Sequence, residues 1–314
     1  MKNIYLYTVF IILALFSTSC LKNADLVPGE GTVEISGGNI WYYVIGEGEE
    51  TPLLMMHGGP GGSSFSLFLL GELSEDRPLI LFDQIGTGRS GKLTDTTLMT
   101  MEYMVDQTKE FVDALGLEKF YIYGHSWGTM LGLDYYLAYP KGIKGMVLNS
   151  PLLSTEMWIQ DADTLISLLP DSIQQIIRYH EEIGVYDTKE YQLANHIYYR
   201  NFINRKRSLT NDYNISRAPG NKIMYKYMWG PSEFTATGTL INYNRIDELD
   251  DIKVPTLFVT GEYDEARPTT VKYFSTLTPK GEYAMIEDAG HGTMHDNQEQ
   301  NIDVIDEFLD RIDN

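Results

Sequence analysis

Ser126 sits in Gly124-His-Ser-Trp-Gly128, after the apolar run Phe120-Tyr-Ile-Tyr123 and before Thr129-Met-Leu131. That order reads as a buried strand, a tight turn and a helix, which lifts a hydroxyl out of a packed sheet. Glycines two residues before and two after the serine are what such a turn needs, because a side chain at either place would strike the adjacent strand or helix. The chemistry this offers is nucleophilic attack on a carbonyl carbon.

Attack on a carbonyl leaves an oxyanion that needs donors. The short apolar strand Pro52-Leu-Leu-Met-Met56 runs into His57-Gly58-Gly59-Pro60-Gly61-Gly62-Ser63, a loop that exposes backbone N–H groups. We assign the oxyanion donors to the amides of Gly59 and Trp127. A further strand, Pro78-Leu-Ile-Leu-Phe82, ends in Asp83-Gln84-Ile-Gly86-Thr-Gly88-Arg89-Ser90. Its glycines are expected to shape a structural loop beside the serine turn.

A serine also needs a base, and the base an orienting acid. Asp264 follows the strand Val254–Val259 in Thr260-Gly-Glu-Tyr-Asp264-Glu265, and His291 follows the strand Tyr283–Ile286 in Glu287-Asp-Ala-Gly-His291. Glu262, Glu265 and Asp288 compete for the acid role; loop position favours Asp264. His295 competes for the base, but its place four residues on fits the start of the terminal helix. His57 is expected to brace the glycine loop, His125 to point away from the serine, and His180 and His196 to be surface or cap residues.

Taken together these motifs resemble the proline iminopeptidase family of α/β-hydrolases, including the tricorn-interacting aminopeptidases. The resemblance rests on His57-Gly-Gly-Pro-Gly61, Asp83-Gln-Ile-Gly-Thr-Gly-Arg-Ser90, Gly124-His-Ser-Trp-Gly128, Gly261-Glu-Tyr-Asp264 and Gly290-His291. It extends to Gly230-Pro-Ser-Glu233-Phe-Thr-Ala-Thr-Gly238, which looks like the family's cap segment. It implies an α/β-hydrolase fold: a mostly parallel central sheet with helices on both faces and an inserted helical cap. It also implies that Glu233 binds the free amino terminus of the substrate. The family uses a second acid there; Glu190 and the Glu181-Glu182 pair are the candidates, and no motif selects among them.

Strand-like and helix-like segments alternate from about Trp41 to Ser150, as in a parallel sheet covered on both faces. Met101 to Leu115 has helical spacing of Met101, Met104, Val105, Phe111, Val112 and Leu115, closed by Gly116. Past Pro151 the pattern turns helical and rich in Tyr, Ile and Leu before strands resume at Val254. The expected organisation is therefore a hydrolase core over 32–150 and 249–314, with a cap over 151–248.

The chain opens with Lys2, an apolar run from Ile4 to Phe16, and Ser17-Thr-Ser-Cys20. That run is short for a span of about 20 residues, so residues 1–19 read as an export signal. Cys20, the single cysteine, resembles a lipoprotein processing site, although Ser17 stands where leucine is common. Lipidated Cys20 and residues 20–31 would then tether the enzyme to a membrane; plain secretion is the alternative.

A net charge of −20 over 314 residues and the lack of a basic patch argue against nucleic acid as a partner. No metal-ligand spacing occurs, so no metal or other cofactor is expected. The expected activity is release of an N-terminal residue, proline by the resemblance, from short peptides through an acyl-enzyme. An esterase, amidase or lactonase on the same frame is the alternative, and a surface-tethered binding protein without catalysis is a third reading.

Overall fold

The computed structural model describes residues 26–206 and 216–314. Among them is a sheet of eight strands in the order β1 (Gly29–Ile35), β2 (Gly38–Ile45), β4 (Leu79–Phe82), β3 (Leu53–Met56), β5 (Phe120–His125), β6 (Ile143–Asn149), β7 (Thr256–Gly261) and β8 (Gly281–Ile286). From β4 to β8 every pairing is parallel; β1 and β2 are antiparallel additions at one edge. The order doubles back between β4 and β5, with β3 between them, and ligands in open parallel sheets bind beyond the strand ends near such a reversal.

The short strands β3 and β4 are apolar at every position because both faces are buried. Leu54, Met56, Ile80, Phe82, Ile122, Met146 and Leu148 face one layer, which also holds apolar side chains of α1 (Met101–Ala114), α2 (Trp127–Ala138) and α7 (Pro268–Leu277). Their alternate neighbours Leu53, Met55, Leu79, Leu81, Tyr121, Tyr123 and Val147 face the other, with the 3-10 stretch Ser64–Ser74 and α9 (Gln298–Asp313). The helix read over Met101–Leu115 is α1, started by Thr100, whose hydroxyl accepts the Tyr103 N–H at 3.2 Å. Arg77, 1% exposed, meets Glu50, Asp310 and Asp313 at 2.7, 3.0 and 2.6 Å and ties the C-terminal helix to the sheet.

Between β6 and β7 the chain leaves the sheet to form α3 (Thr155–Ile166), α4 (Asp171–Ile183), α5 (Lys189–Phe202) and α6 (Lys222–Met228). The first three share a separate cluster around Ile177, Tyr191, Tyr198 and Phe234, whereas Met224 and Met228 of α6 pack into the core below. The part after α6 is less helical than expected: residues 229–238 form a compact loop, followed by two short 3-10 turns.

One boundary needs correction. The tether expected over 20–31 ends sooner, because Gly29, Glu30 and Gly31 already pair with Val44, Tyr43 and Tyr42 in the sheet. The hairpin was hidden by its short Ser36-Gly37 link and by a strand whose burial alternates rather than running apolar. Residues 1–25, including the expected signal and Cys20, lie outside the described residues.

Candidate active site

Ser126 follows β5 directly and has φ 54° and ψ −122°, a left-handed conformation that a serine adopts only under constraint. The constraint comes from both glycines. A Cβ on Gly124 would lie 2.4 Å from the Gly128 carbonyl oxygen, and one on Gly128 would lie 2.1 Å from that of Met56. Helix α2 can therefore start against β3 and β5, with the Trp127 amide in its first turn, where helix N–H groups lack internal partners.

The glycine loop after β3 wraps the same point. A Cβ on Gly58 would come within 3.3 Å of the Ser126 Cβ, and Gly58, Gly59, Gly62 and Ser63 line a cavity of about 310 Å³ together with Ser126, Glu233 and His291. His57 braces this loop. The Gln84 N–H donates to its Nε2 at 3.1 Å, so the proton is on Nδ1, which donates to the Gly58 carbonyl at 2.8 Å. Burial lowers the His57 pKa and keeps that neutral tautomer. Gln84 also donates to the His57 carbonyl at 3.0 Å and accepts the Trp127 indole N–H at 2.8 Å, joining the glycine loop to the serine turn. Asp83 accepts the Ser64 N–H and hydroxyl and the Arg89 N–H, each at 2.8 Å. The Asp83–Ser90 motif is thus a buried clamp on the loop.

Asp264 and His291 arrive from the ends of β7 and β8. His291 Nδ1 lies 2.9 Å from Asp264 Oδ1, which also accepts the Ala266 N–H at 2.8 Å, while Oδ2 accepts the Gly261 N–H at 3.3 Å. Glu262 is exposed and accepts the Asp288 N–H, and Asp288 itself faces Arg205 and Lys206, so neither reaches the ring. With Nδ1 donating to Asp264, Nε2 keeps a lone pair toward the cavity. No hydrogen bond joins that nitrogen to the Ser126 hydroxyl among the described contacts; both groups face one cavity, and such bonds are commonly long before substrate arrives. The His291 carbonyl is pinned by the Ser150 hydroxyl at 3.0 Å and by His125 Nε2 at 2.9 Å.

His125 does not point away from the site. Its ring lines the cavity, 4.9 Å between centroids from His291, and burial lowers its pKa to about 3, so it is a neutral donor. His295 falls in the short helix α8 (Thr293–Asp296) ahead of α9 and also lines the cavity. His180 is buried at the end of α4, bonded to the Val185 carbonyl at 2.6 Å, whereas His196 is exposed.

Glu233 sits in the knot after α6. Gly230 and Gly238 permit it, since a Cβ on either would lie 2.2 to 2.3 Å from the backbone of Thr235 or Met228. Tyr191 and Thr235 hydroxyls meet Ser232, and the Trp158 indole donates to the Glu233 carbonyl at 2.9 Å. The carboxylate, left facing the cavity, accepts the Tyr199 hydroxyl at 3.0 Å.

The cap candidates Glu181, Glu182 and Glu190 are not in the cavity lining. Glu190 and Glu182 are exposed, and Glu181 accepts the Thr235 hydroxyl at 3.0 Å. Instead Glu265, 1% exposed, places Oε1 3.8 Å from His291 Nε2, and neither of its oxygens has a hydrogen-bond partner. Burial, then the charges of Glu233 and Asp264, push its pKa well above the carboxylate range. The Tyr198 and Tyr225 pKa values are raised by burial and then by the charges of Glu233 and Glu265. Trp158 packs edge-on against His291 at 5.6 Å between centroids. Sequence weighed Glu265 only as a rival orienting acid; its adjacency to Asp264 was the one available signal.

A family model described as the alpha/beta hydrolase fold matches residues 51–298. A proline iminopeptidase of Heyndrickxia coagulans is 37% identical over 286 residues, covering 90% of this chain and 99% of that protein. The crystal structure of a Mycobacterium smegmatis proline iminopeptidase superposes with a TM-score of 0.82 at 28% identity, covering 91% of this chain and 99% of that one. That of VinJ gives 0.83 at 30% identity, covering 90% and 99%. With this similarity running nearly end to end, the chain belongs to the proline iminopeptidase family of α/β-hydrolases.

Proposed function

We propose that the protein is a serine aminopeptidase that removes an N-terminal residue, proline foremost, from short peptides. The observation that carries this reading is a pair of carboxylates, Glu233 lining the cavity and Glu265 buried without a hydrogen-bond partner beside His291. Two acids beside the triad suit a cationic amine, and an esterase or lactonase gains nothing from them. A desolvated charge-assisted hydrogen bond to that amine is worth about 1.5–3 kcal/mol.

In this reading Ser126 Oγ attacks the carbonyl carbon of the first residue while His291 Nε2 takes its proton. Asp264 holds the imidazole by Nδ1 and balances its charge. The Gly59 and Trp127 amides stabilise the oxyanion. His291 then hands the proton to the departing nitrogen, the C–N bond breaks, and the shortened peptide leaves an ester on Ser126. Water attacks the ester, His291 takes its proton and returns it to Ser126, and the free amino acid departs. Comparing Pro-anilide with its N-acetyl form tests this: strong preference for the free amine is expected, and equal turnover would remove the aminopeptidase reading.

Export and anchoring through lipidated Cys20 form a second proposal, supported by the basic start, the apolar run and the single cysteine. Metabolic labelling with palmitate should mark the wild type and not Cys20→Ala; an unlabelled wild type would leave plain secretion.

A further inference from the structure

Besides Ser126, His291 and Glu233, the cavity lining includes Ile203, Asn204, Arg217, Met294 and His295. Arg217 is the guanidinium among these, and its backbone is fixed. On one side the Ser216 carbonyl accepts a hydrogen bond from Arg89. On the other, the Asn221 N–H donates to the Gly61 carbonyl at 2.7 Å and the Asn221 amide reaches Gly86 at 3.0 Å. The segment lies so close on the glycine loop that a Cβ on Gly61 would be 2.5 Å from the Asn221 oxygen. Ala218, next in sequence, is buried.

The Arg217 side chain has no carboxylate or hydrogen-bond partner among the described residues. Every other described arginine except Arg200 meets a carboxylate, in a chain with 44 acids against 24 lysines and arginines. Arg200 lies exposed on α5 away from the cavity, so Arg217 is the one that a bound substrate meets. Its neighbour His295 is driven toward the neutral form by burial, with the Arg217 charge a lesser cause. The cavity therefore carries the Glu233 carboxylate and also, on a segment seated against the glycine loop, an exposed guanidinium with no partner among the described residues.

We propose that Arg217 binds the C-terminal carboxylate of the substrate, which makes free-acid di- to tetrapeptides the preferred substrate class. The proposal rests on the aminopeptidase reading. A short peptide is a zwitterion, and a guanidinium offers the planar pair of N–H groups that a carboxylate accepts. Because Arg217 is solvent-exposed, the pair is worth up to about fivefold in affinity.

The test measures kcat/KM for Pro-Ala, Pro-Ala-Ala and Pro-Ala-Ala-Ala, each as free acid and as C-terminal amide, on the wild type, Arg217→Ala and Arg217→Lys. Pro-anilide, which has no carboxylate, is the control. The wild type should favour the acid about fivefold at one or more lengths, through KM. Arg217→Ala should bring that ratio to about one, Arg217→Lys should keep part of it, and Pro-anilide should be cleaved equally by all three. Acids and amides cleaved alike by the wild type, or an acid preference that survives in Arg217→Ala, would overturn the carboxylate site while leaving Pro-anilide cleavage intact. Failure of the wild type on Pro-anilide would instead overturn the aminopeptidase reading.

Discussion

Glu265 Oε1 lies 3.8 Å from His291 Nε2, the nitrogen on the opposite side of the ring from the one that Asp264 holds at 2.9 Å. Adjacent acids thus address the two edges of one imidazole. Asp264 is saturated with donors from the main chain and the ring. Glu265 has none, and its raised pKa keeps it protonated at pH values where an ordinary carboxylate is charged. A substrate amine supplies the missing donor and draws the proton off, so binding and ionisation are coupled.

Glu265→Gln keeps the volume and removes that response. We expect kcat/KM on Pro-anilide to fall about tenfold to a hundredfold, mainly through KM, the worth of one charge-assisted hydrogen bond. Hydrolysis of p-nitrophenyl acetate, which has no amine, should change little, because Glu265 is neutral beside such a substrate in both proteins. Steady-state kinetics on the two substrates decides this. Parallel losses on both would mean that Glu265 serves the triad rather than the amine.

The pH dependence follows the same sign. Ionised Glu265 binds the amine, and its pKa is raised by burial first and then by Glu233 and Asp264. Free-amine turnover should therefore climb with pH as Glu265 loses its proton. In Glu265→Gln the acid limb of kcat/KM should be shallower. Identical limbs in the two proteins would rule out this titration.

Stability moves the other way with pH. A carboxyl whose folded pKa exceeds its unfolded value near 4.5 stabilises the fold most below that value. The contribution is lost as pH rises from there through the folded pKa. Thermal melts of ligand-free Glu265→Gln should therefore match or exceed the wild type at pH 7, with the difference shrinking below pH 4.5. A variant that is less stable at pH 7 would contradict the burial cost assigned to this group.

The serine turn was legible because its rule is local. Gly124 and Gly128 are required by contacts with the backbone of residues a few places away or on the next strand, and such spacing survives in the sequence. The buried strands β3, β4 and β5 were legible as short unbroken apolar runs. Glu265 was not, since burial of an acid depends on Tyr198 and Glu233 arriving from the cap. The direction of His125 depends on the strained backbone at the residue after it, and Trp158 reaches His291 from another layer. The β1–β2 hairpin carried only a half-buried edge pattern.

Gly128→Ala tests the turn itself. The added methyl would stand 2.1 Å from the Met56 oxygen and 3.0 Å from that of His57, both main-chain atoms that cannot rotate aside. Helix α2 must back away from β3, which costs about 1–3 kcal/mol and moves the Trp127 amide with it. A lower urea midpoint and a fall of about a hundredfold in kcat are expected, since displacement by about 1 Å is enough for such a loss. Unchanged kcat would show that the position of this turn does not matter to the chemistry.

Asp264→Asn separates orientation from charge. Every group that meets the Asp264 carboxylate donates to it: the Gly261 and Ala266 amides, the Thr260 hydroxyl and His291 Nδ1. An amide there must turn its own NH₂ toward one of them. The main-chain donors cannot change character, so the ring yields, accepting at Nδ1 and carrying its proton on Nε2, where it can no longer take one from Ser126. In serine triads that exchange lowers kcat by about 10⁴ while the fold and KM persist. Glu265 cannot rescue the variant, because it lies beside Nε2 rather than Nδ1. Pro-anilide turnover by a folded Asp264→Asn protein measures the effect, and a loss smaller than about tenfold would deny Asp264 its place in the triad.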